Sequence, residues 1–517
     1  MENNLDQHLK KELTANYEEN KLLIQKILTD NGDLIVREFF FHQKKNIAIV
    51  CFYIDGLVNT NIIGSVIDSF IYQAPRLLRD MDINTLYTNL PDKINKHILH
   101  AHSVKLISKV ADVIDAILSG DSVFIIEKCD QAILVSTRGW ADRAVSEPQT
   151  EQVVIGPRDG FTENLRTNTA LVRRRIKDPL LSIKSTVVGK SSKTTLNIAY
   201  HRGTVKKGLV EEVMKRLDNI DIDGIIDSGY ISELIEDAPL SPFTTVQSTE
   251  RPDKVAASIL EGRVAIFVDN SPFVLIVPTY FWQFLQASDD YYSRYMAGSF
   301  FRLIRYFAFI ISLVLTSIYV MLVSFHQEMI PTALALTIAS GREVVPFPVL
   351  LEALIMEISF ELMREAGLRM PKPVGQAVSI VGSLVIGQAA VQAGLVSPFM
   401  VIIVAITGIA SFVMPNYAAS FSIRLVRFPL LIASGTLGLL GFSVVFSLIA
   451  IHALSLRSFG ESYLAPATPF QPSDQKDMII RFPWWSMERL PHLAKQRQRA
   501  SDSQKPKNPQ GNNNNEG

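Results

Sequence analysis

Cysteine is almost absent. Two of 517 residues, Cys51 and Cys129, are too few for a disulfide scaffold or a Cys-rich zinc or iron–sulfur site. Neither sign of charge prevails: Lys+Arg and Asp+Glu both number 51, so no overall field draws the chain to nucleic acid. Charge is also scarce, at 20% of residues against 48% hydrophobic, which excludes a disordered chain and argues against a purely soluble one. The signatures H-E-x-x-H, C-x-x-C and G-x-S-x-G are missing. Gly189-Lys190-Ser191 has Lys184 where a phosphate-binding loop needs its first glycine. His97-x-x-His100-x-His102 is the one histidine cluster, while His42 stands alone in a polar turn. The cluster's spacing suits a wet surface segment better than a metal site. The sequence therefore predicts no enzyme, no cofactor and no metal.

The apolar residues concentrate at the rear. The first 302 residues hold 35 basic and 39 acidic side chains, the remainder only 16 and 12. Tyr306–Phe325, Val374–Ile423 and Phe428–Leu456 carry no Asp, Glu, Lys or Arg. A bilayer core of about 30 Å needs about 20 apolar helical residues. Four spans are predicted: Leu303–Phe325, Val374–Val396, Pro398–Met414 and Pro429–Leu454. Val349–Met363 is shorter and contains Glu352, Glu357 and Glu361, so it reads as a re-entrant, interfacial or pore-facing helix. Met1–Leu13 is polar and charged, which predicts no secretory signal. Arg294, Arg302 and Arg305 beside the first span, and nine basic against six acidic residues after Leu456, favour the cytoplasmic side for both ends. Four spans leave Arg424 and Arg427 outside, against the same rule.

The front part carries an internal repeat. Ala116–Thr137 (AILSGDSVFIIEKCDQAILVST) aligns without a gap with Ser258–Thr279 (SILEGRVAIFVDNSPFVLIVPT), 142 positions on. Tyr53, Gly56, Val58, Ile62 and Val66 match Tyr200, Gly203, Val205, Leu209 and Val213, 147 positions on. The fold class is thus an α/β soluble N-terminal region of two related subdomains, followed by an α-helical multi-pass membrane domain. The expected organisation is a helical or flexible segment (1–29), a first α/β subdomain (30–140), a connecting motif (141–179) and a second α/β subdomain (180–295). A helical membrane domain (296–456), a C-terminal segment (457–498) and a disordered polar tail (499–517) follow. Both cysteines fall at predicted strands or their turn, as small buried residues.

The connecting motif is the most distinctive soluble segment. Gly156-Pro157-Arg158-Asp159-Gly160 is a turn. A helix follows, with Leu165, Thr169, Val172 and Ile176 on one face and Arg166, Arg173, Arg174 and Arg175 off it. The arginines read as a solvated face or salt-bridge strip, or else as a contact with another subunit or with anionic lipid heads.

In the rear part, Glu357, Glu361 and Glu365 are spaced four apart and form one acidic stripe, with Arg364 able to pair with Glu361. The stripe is either an interfacial helix reaching headgroup water or a cation-attracting ring at a pore mouth. Ser379, Ser383, Gly387, Ala390 and Gly394 put small residues on one face of the next span, which suits close helix packing. Gln388 and Gln392 need partners there or line a conduit. Gly435, Gly438 and Gly441 suit a bend or a tight contact in the last span.

Two long runs, VIGPRDGFTENLRTN and PFPVLLEALIMEISFELMREAGLRMPKPVGQAVSIVGSLVIGQAAVQAGLVSP, resemble the A subunit of the GerA-type spore germinant receptors, and the likeness extends from about residue 30 to 490. The resemblance implies a location in the spore inner membrane and partnership with a transporter-like B subunit and a lipoprotein C subunit. It further implies a homo-oligomer, a pentamer, that forms a ligand-gated channel for monovalent cations. The matched positions are Pro157, Arg158, Asp159, Gly160, Asn164 and Asn168 in the soluble motif. In the membrane motif they are Glu352, Glu361, Arg364, Glu365, Gly387, Gln388 and Gln392. On this basis Pro157, Arg158, Asp159, Gly160, Asn164 and Asn168 are subunit-contact candidates, joined by Arg173, Arg174 and Arg175 of the arginine run. Glu352, Glu357, Glu361, Arg364, Glu365, Gln388 and Gln392 are pore or gating candidates, while Gly387 belongs with the packing residues.

Overall fold

The computed structural model describes residues 2–41, 47–73, 90–97, 103–139, 146–370, 387–487, 489–491 and 493–494. The soluble part begins with α1 (Glu2–Leu9), α2 (Tyr17–Ile27), β1 (Leu34–Phe41), β2 (Ile47–Ile54), α3 (Thr60–Asp68), α4 (Leu90–His97), β3 (Val104–Ile107), α5 (Val110–Leu118), β4 (Ser122–Ile126) and β5 (Ala132–Val135). It continues with α6 (Leu165–Arg173), β6 (Leu181–Val188), β7 (Thr194–His201), α7 (Leu209–Asp218), α8 (Ser228–Ile235), β8 (Gln247–Thr249), α9 (Pro252–Leu260), β9 (Val264–Val268) and β10 (Val274–Val277).

The strands form two antiparallel sheets of the same order, β1-β2-β4-β5-β3 and β6-β7-β9-β10-β8. Strands β4 and β9, and β5 and β10, lie 142 positions apart, while β1 and β6, and β2 and β7, lie 147 apart. Both faces of each sheet are covered, so the central strands alternate between two cores rather than between core and water. Phe124 and Ile126 of β4 share one core with Val66 and Leu90, whereas Val123 and Ile125 share the other with Ile24 and Val113. In the second sheet Ile266 shares a core with Val213 and Ile231, while Phe267 shares the other with Val172 and Val255. Cys51 and Cys129 are buried in the first unit, and burial pushes the Cys129 thiol up to about 12.

The repeat is longer than the apolar pattern indicated. Helix α2 occupies in the first unit the place that α6 occupies in the second. Asn20 accepts from the Thr14 amide at 3.0 Å and donates to the Thr14 carbonyl at 2.6 Å. Asn168 does the same with Thr162, at 2.8 and 2.5 Å. Asn16 and Asn164 cap the two helices. The helical or flexible segment expected before residue 30 is thus helical and begins the first repeat, and the connecting motif begins the second.

The rear part contains α10 (Asp289–Tyr292), α11 (Tyr295–Phe325), α12 (Thr332–Arg342), α13 (Val349–Arg369), α14 (Pro398–Phe412) and α15 (Tyr417–Ser455). Helix α11 starts eight residues before the predicted span. Helix α13 runs 21 residues, about 31 Å at 1.5 Å per residue, and so is not the short stretch expected. Of Val374–Val396, residues 374–386, with Ser379 and Ser383, lie outside the described residues. Helix α15 begins at Tyr417 rather than Pro429, so Arg424 and Arg427 are helical and buried rather than in an outer loop. It breaks at Gly438 (φ 60°, ψ −138°), a conformation open essentially to glycine alone. The two arms turn back on each other there. Gly441 meets the Ala433 carbonyl and Gly438 meets Phe325. After α15 the chain returns to the soluble domain, where the Ser458 hydroxyl donates to the Thr245 carbonyl at 2.7 Å and Asp477 meets Arg302.

Candidate functional site: buried charges among the apolar helices

Four of the long helices converge on a row of charges. Glu357, on α13, is fully buried. One of its oxygens accepts from the Thr316 hydroxyl of α11 at 2.9 Å, and the other lies 2.6 Å from Arg427 Nη2 of α15. Thr316 also lies 3.1 Å from the Thr407 hydroxyl of α14. One turn on, Glu361 accepts from Arg424 Nη1 at 2.7 Å, with Arg427 at 3.4 Å and Arg364 at 3.5 Å. The Arg364 guanidinium lies 4.3 Å from the Phe412 ring centre and 5.0 Å from that of Phe360, and donates to the Ser411 hydroxyl at 2.5 Å. At the other end of α13, Glu352 is fully buried, accepts from the Ser397 amide at 2.7 Å and lies 3.6 Å from Arg342.

Such groups are stable among apolar helices only when paired and hydrogen-bonded. The spacing explains how they pair. Residues four apart on α13 face residues three apart on α15, so one turn of each helix meets one turn of the other. The acidic stripe therefore points into the chain's own bundle over Glu357 and Glu361. The outward face of α13 is instead apolar, with Leu351, Ile355, Ile358 and Leu362 exposed. Glu365 leaves the cluster and pairs at 2.6 Å with exposed Arg369. Gln388 and Gln392 are exposed, Gly387 and Ala390 are half-buried, and Gly394 packs against the Val344 carbonyl in a left-handed turn. Sequence reasoning missed Thr316, Arg342, Ser397, Thr407 and Ser411 and misplaced Arg424 and Arg427. The available signal was two arginines at helical spacing beside an uncharged stretch.

The soluble motif lies elsewhere and is bonded within the chain. Arg173 is buried, not on a solvated face. Its fork holds Asp33 at 2.6 and 2.7 Å and Asn31 at 2.9 Å, which ties α6 to the first repeat. Arg175 grips Asp159 at 2.6 and 2.7 Å. The Pro157 carbonyl accepts from Arg251 at 3.0 Å, and the Gly160 amide donates to the Ser146 carbonyl at 2.9 Å. Arg158 is exposed, 3.8 Å from Glu147, and Arg174 is exposed. Of the arginines beside the first span, Arg302 and Arg305 are buried against Asp290, so Arg294 alone of the three faces solvent.

Comparison with known proteins bears on both clusters. A family model of the Bacillus/Clostridium GerA spore germination protein matches residues 22–493. Spore germination protein KA of Bacillus subtilis (strain 168) is 44% identical over 468 residues, 90% of this chain and 84% of that protein. Spore germination protein A1 of the same organism is 40% identical over 467 residues, 90% of this chain and 93% of that one. The crystal structure of the N-terminal domain of the A subunit of the Bacillus megaterium spore germinant receptor GerK3 is 34% identical. It covers 52% of this chain and 98% of its own, with a TM-score of 0.40. Because the family match runs unbroken through both repeats and the charged helices, the chain belongs to the GerA family of spore germination proteins, as an A subunit of a germinant receptor.

Proposed function

We propose that this chain is the conducting subunit of a nutrient-sensing germinant receptor. Copies assemble side by side, as a pentamer, in the spore inner membrane, with B and C subunits as partners. A sensed nutrient shifts the assembly from a closed to an open state that passes monovalent cations. Helices α11, α13 and α14, the two arms of α15 and the uncharged Val374–Val396 stretch make six crossings. Two contacts support an even number. The start of α11 is bonded to the C-terminal segment through Arg302 and Asp477, and the end of α15 to the soluble domain through His452 and Ser241. Both ends then share the cytoplasmic side.

The observation that carries the reading is the Glu357–Arg427–Glu361–Arg424 cluster. Charges buried among apolar helices are costly to keep, and within a membrane they mark ion pathways and the elements that gate them. Held by side chains on four helices, the cluster can act as a latch whose pairs exchange when the helices slide. The exposed amides Gln388 and Gln392, which have no partner among the described residues, are the better candidates for the conduit wall. A non-conducting scaffold is the second reading, favoured by the pairing of the buried acids within one chain.

The experiment is current recording from the purified chain in planar bilayers, with and without its partner subunits. Glu361→Gln is expected to raise resting current and Gln388→Ala to alter conductance, with the oligomer intact by size exclusion. A bilayer silent with and without partners favours the scaffold. Unchanged currents in both variants remove these residues from gate and pore.

A further inference from the structure

Several large apolar side chains outside the long helices are exposed, and hydrogen bonds fix their level along those helices. Tyr306 opens the uncharged stretch of α11, and its hydroxyl donates to the Met478 carbonyl at 3.0 Å. Two turns earlier, Ser299 donates to the Arg481 carbonyl at 2.9 Å. The segment 478–481 therefore runs beside the start of the apolar helix. Arg481 turns inward, donating to the carbonyls of Asp290 and Ser293 at 2.7 and 2.9 Å. Its neighbours Ile479, Ile480, Phe482 and Trp484 stay exposed.

A second contact sets the same level at the end of α15. Ser241 Oγ lies 2.8 Å from His452 Nε2, and the Phe243 ring stacks on that imidazole. Leu240, next in the chain, is 100% exposed. Its level is that of Ile451 and Leu454, exposed in the last turns of the helix.

We propose that Leu240, Ile479, Ile480, Phe482 and Trp484 form a collar seated in the interfacial layer of the leaflet facing the soluble domain. The partner is the lipid itself. The proposal rests on the reading that α11 and α15 cross the bilayer.

Three observations favour lipid. The collar is continuous with the exposed apolar start of α11, where Phe300, Phe301, Ile304 and Phe307 stand out from the protein. Aromatic groups at this level show the amphipathic pattern of an interface. The Trp282 indole donates to the Leu464 carbonyl at 3.0 Å while its ring lies tilted against that of Tyr306. Two exposed arginines, Arg294 before α11 and Arg457 after α15, have no carboxylate partner among the described residues, which suits anionic headgroups. In water, an apolar strip of this kind would be an aggregation liability.

The test uses the full chain in vesicles of phosphatidylcholine and phosphatidylglycerol. An environment-sensitive fluorophore is placed by Leu240→Cys or Ile480→Cys, with Phe482→Cys in reserve should the latter not fold. Because Cys51 and Cys129 are buried, the introduced thiols take the label. Controls are Ile310→Cys and Val444→Cys on the two apolar helices and Val154→Cys on the soluble part, all exposed positions. The collar labels are expected to lose most of their emission to lipids brominated near the headgroup and little to aqueous iodide. Ile310 and Val444 should respond to lipid bromine, Val154 to iodide alone. Collar labels that behave like Val154 while Ile310 and Val444 respond to lipid overturn the collar and leave the crossings intact. Collar labels shielded from both quenchers overturn it too, because protein then covers the strip. Silence of Ile310 and Val444 towards lipid bromine overturns the crossings themselves.

Discussion

Arg427→Met is expected to lower the stability of the helical part by about 3–5 kcal/mol, the usual cost of leaving a buried charge without its partner. Arg427 is 1% exposed and its Nη2 lies 2.6 Å from Glu357. Once it is removed, Glu357 keeps a hydrogen bond from Thr316 and, among the described residues, no cation at comparable distance, since Arg424 faces Glu361. The physical claim is that the loss comes from the orphaned carboxylate rather than from the missing arginine contacts. A second substitution separates the two. In Glu357→Gln/Arg427→Met the charge is gone, the amide can still accept from Thr316, and most of the loss should be recovered. The comparison is a thermal-unfolding series in detergent, read by size exclusion so that folded protein is counted. Arg369→Met, which breaks the exposed pair with Glu365, is the control and should leave the transition where it is. If the double variant unfolds no later than Arg427→Met, the cluster is not held together by charge.

How much of this was legible in the sequence depends on the range of the interaction. The sheets were legible in part because apolar runs and their turns recur at offsets of 142 and 147, and the β1–β2, β4–β5, β6–β7 and β9–β10 pairs follow from short connections, whereas the β2–β4 and β7–β9 pairs join strands far apart in the chain. Helix α2 was not recognised as the counterpart of α6 because its likeness is mostly polar and slight. Leu23 and Asp30 match Leu171 and Asp178 at an offset of 148, and so, around the helix start, do Thr14, Asn16 and Asn20 with Thr162, Asn164 and Asn168. The threonine and asparagine pairs matter because an asparagine that closes on a threonine's amide and carbonyl fixes the start of the helix. Arg173 shows the opposite limit. Helical periodicity places it off the apolar face and so suggests water. Its partner Asp33 lies 140 positions earlier, in the other repeat, and nothing local announces it.

The acidic stripe is the instructive case in the candidate site. Spacing put Glu357, Glu361 and Glu365 on one side of a helix, which is a local fact. What that side meets is set by tertiary packing. The stripe splits, two residues turning to the arginines of α15 and one remaining at the surface. The span Pro429–Leu454 was drawn by excluding charge, and that placed its boundary after Arg427. In the folded chain the arginines belong to the helix because the acids of α13 pair with them.

The junction between soluble and apolar parts carries the other large expected effect, for Asp290→Ala. Asp290 is 1% exposed and serves two arginines of α11 at once. Arg302 Nε lies at 3.2 Å and Arg305 Nη1 at 2.8 Å, with Arg305 Nη2 closing the fork. Both guanidiniums are buried, so neither can turn to water without moving the helix. Arg302 retains Asp477 of the C-terminal segment at 2.9 Å, while Arg305 keeps, among the described residues, only the Leu285 carbonyl at 3.1 Å. The loss should be of the same order, about 3–5 kcal/mol, and should fall on the connection rather than on either part. Limited proteolysis is therefore the measurement of choice. In Asp290→Ala the segment between β10 and α11 should become cleavable while the strands of both sheets stay protected. In Asp290→Ala/Arg305→Met, where the stranded charge is removed with its partner, cleavage should fall back towards the parent. Arg302 is the control for geometry. Arg302→Lys keeps a positive charge but has one ammonium where the fork now reaches Asp290 and Asp477 together, so it should resemble Asp290→Ala in part. Should cleavage in Asp290→Ala spread through both sheets, the pair would be a prop of the soluble fold as a whole. Unaltered cleavage would mean that α11 is held by its apolar contacts with Phe281, Phe284 and Leu285 and that the charges ride on them.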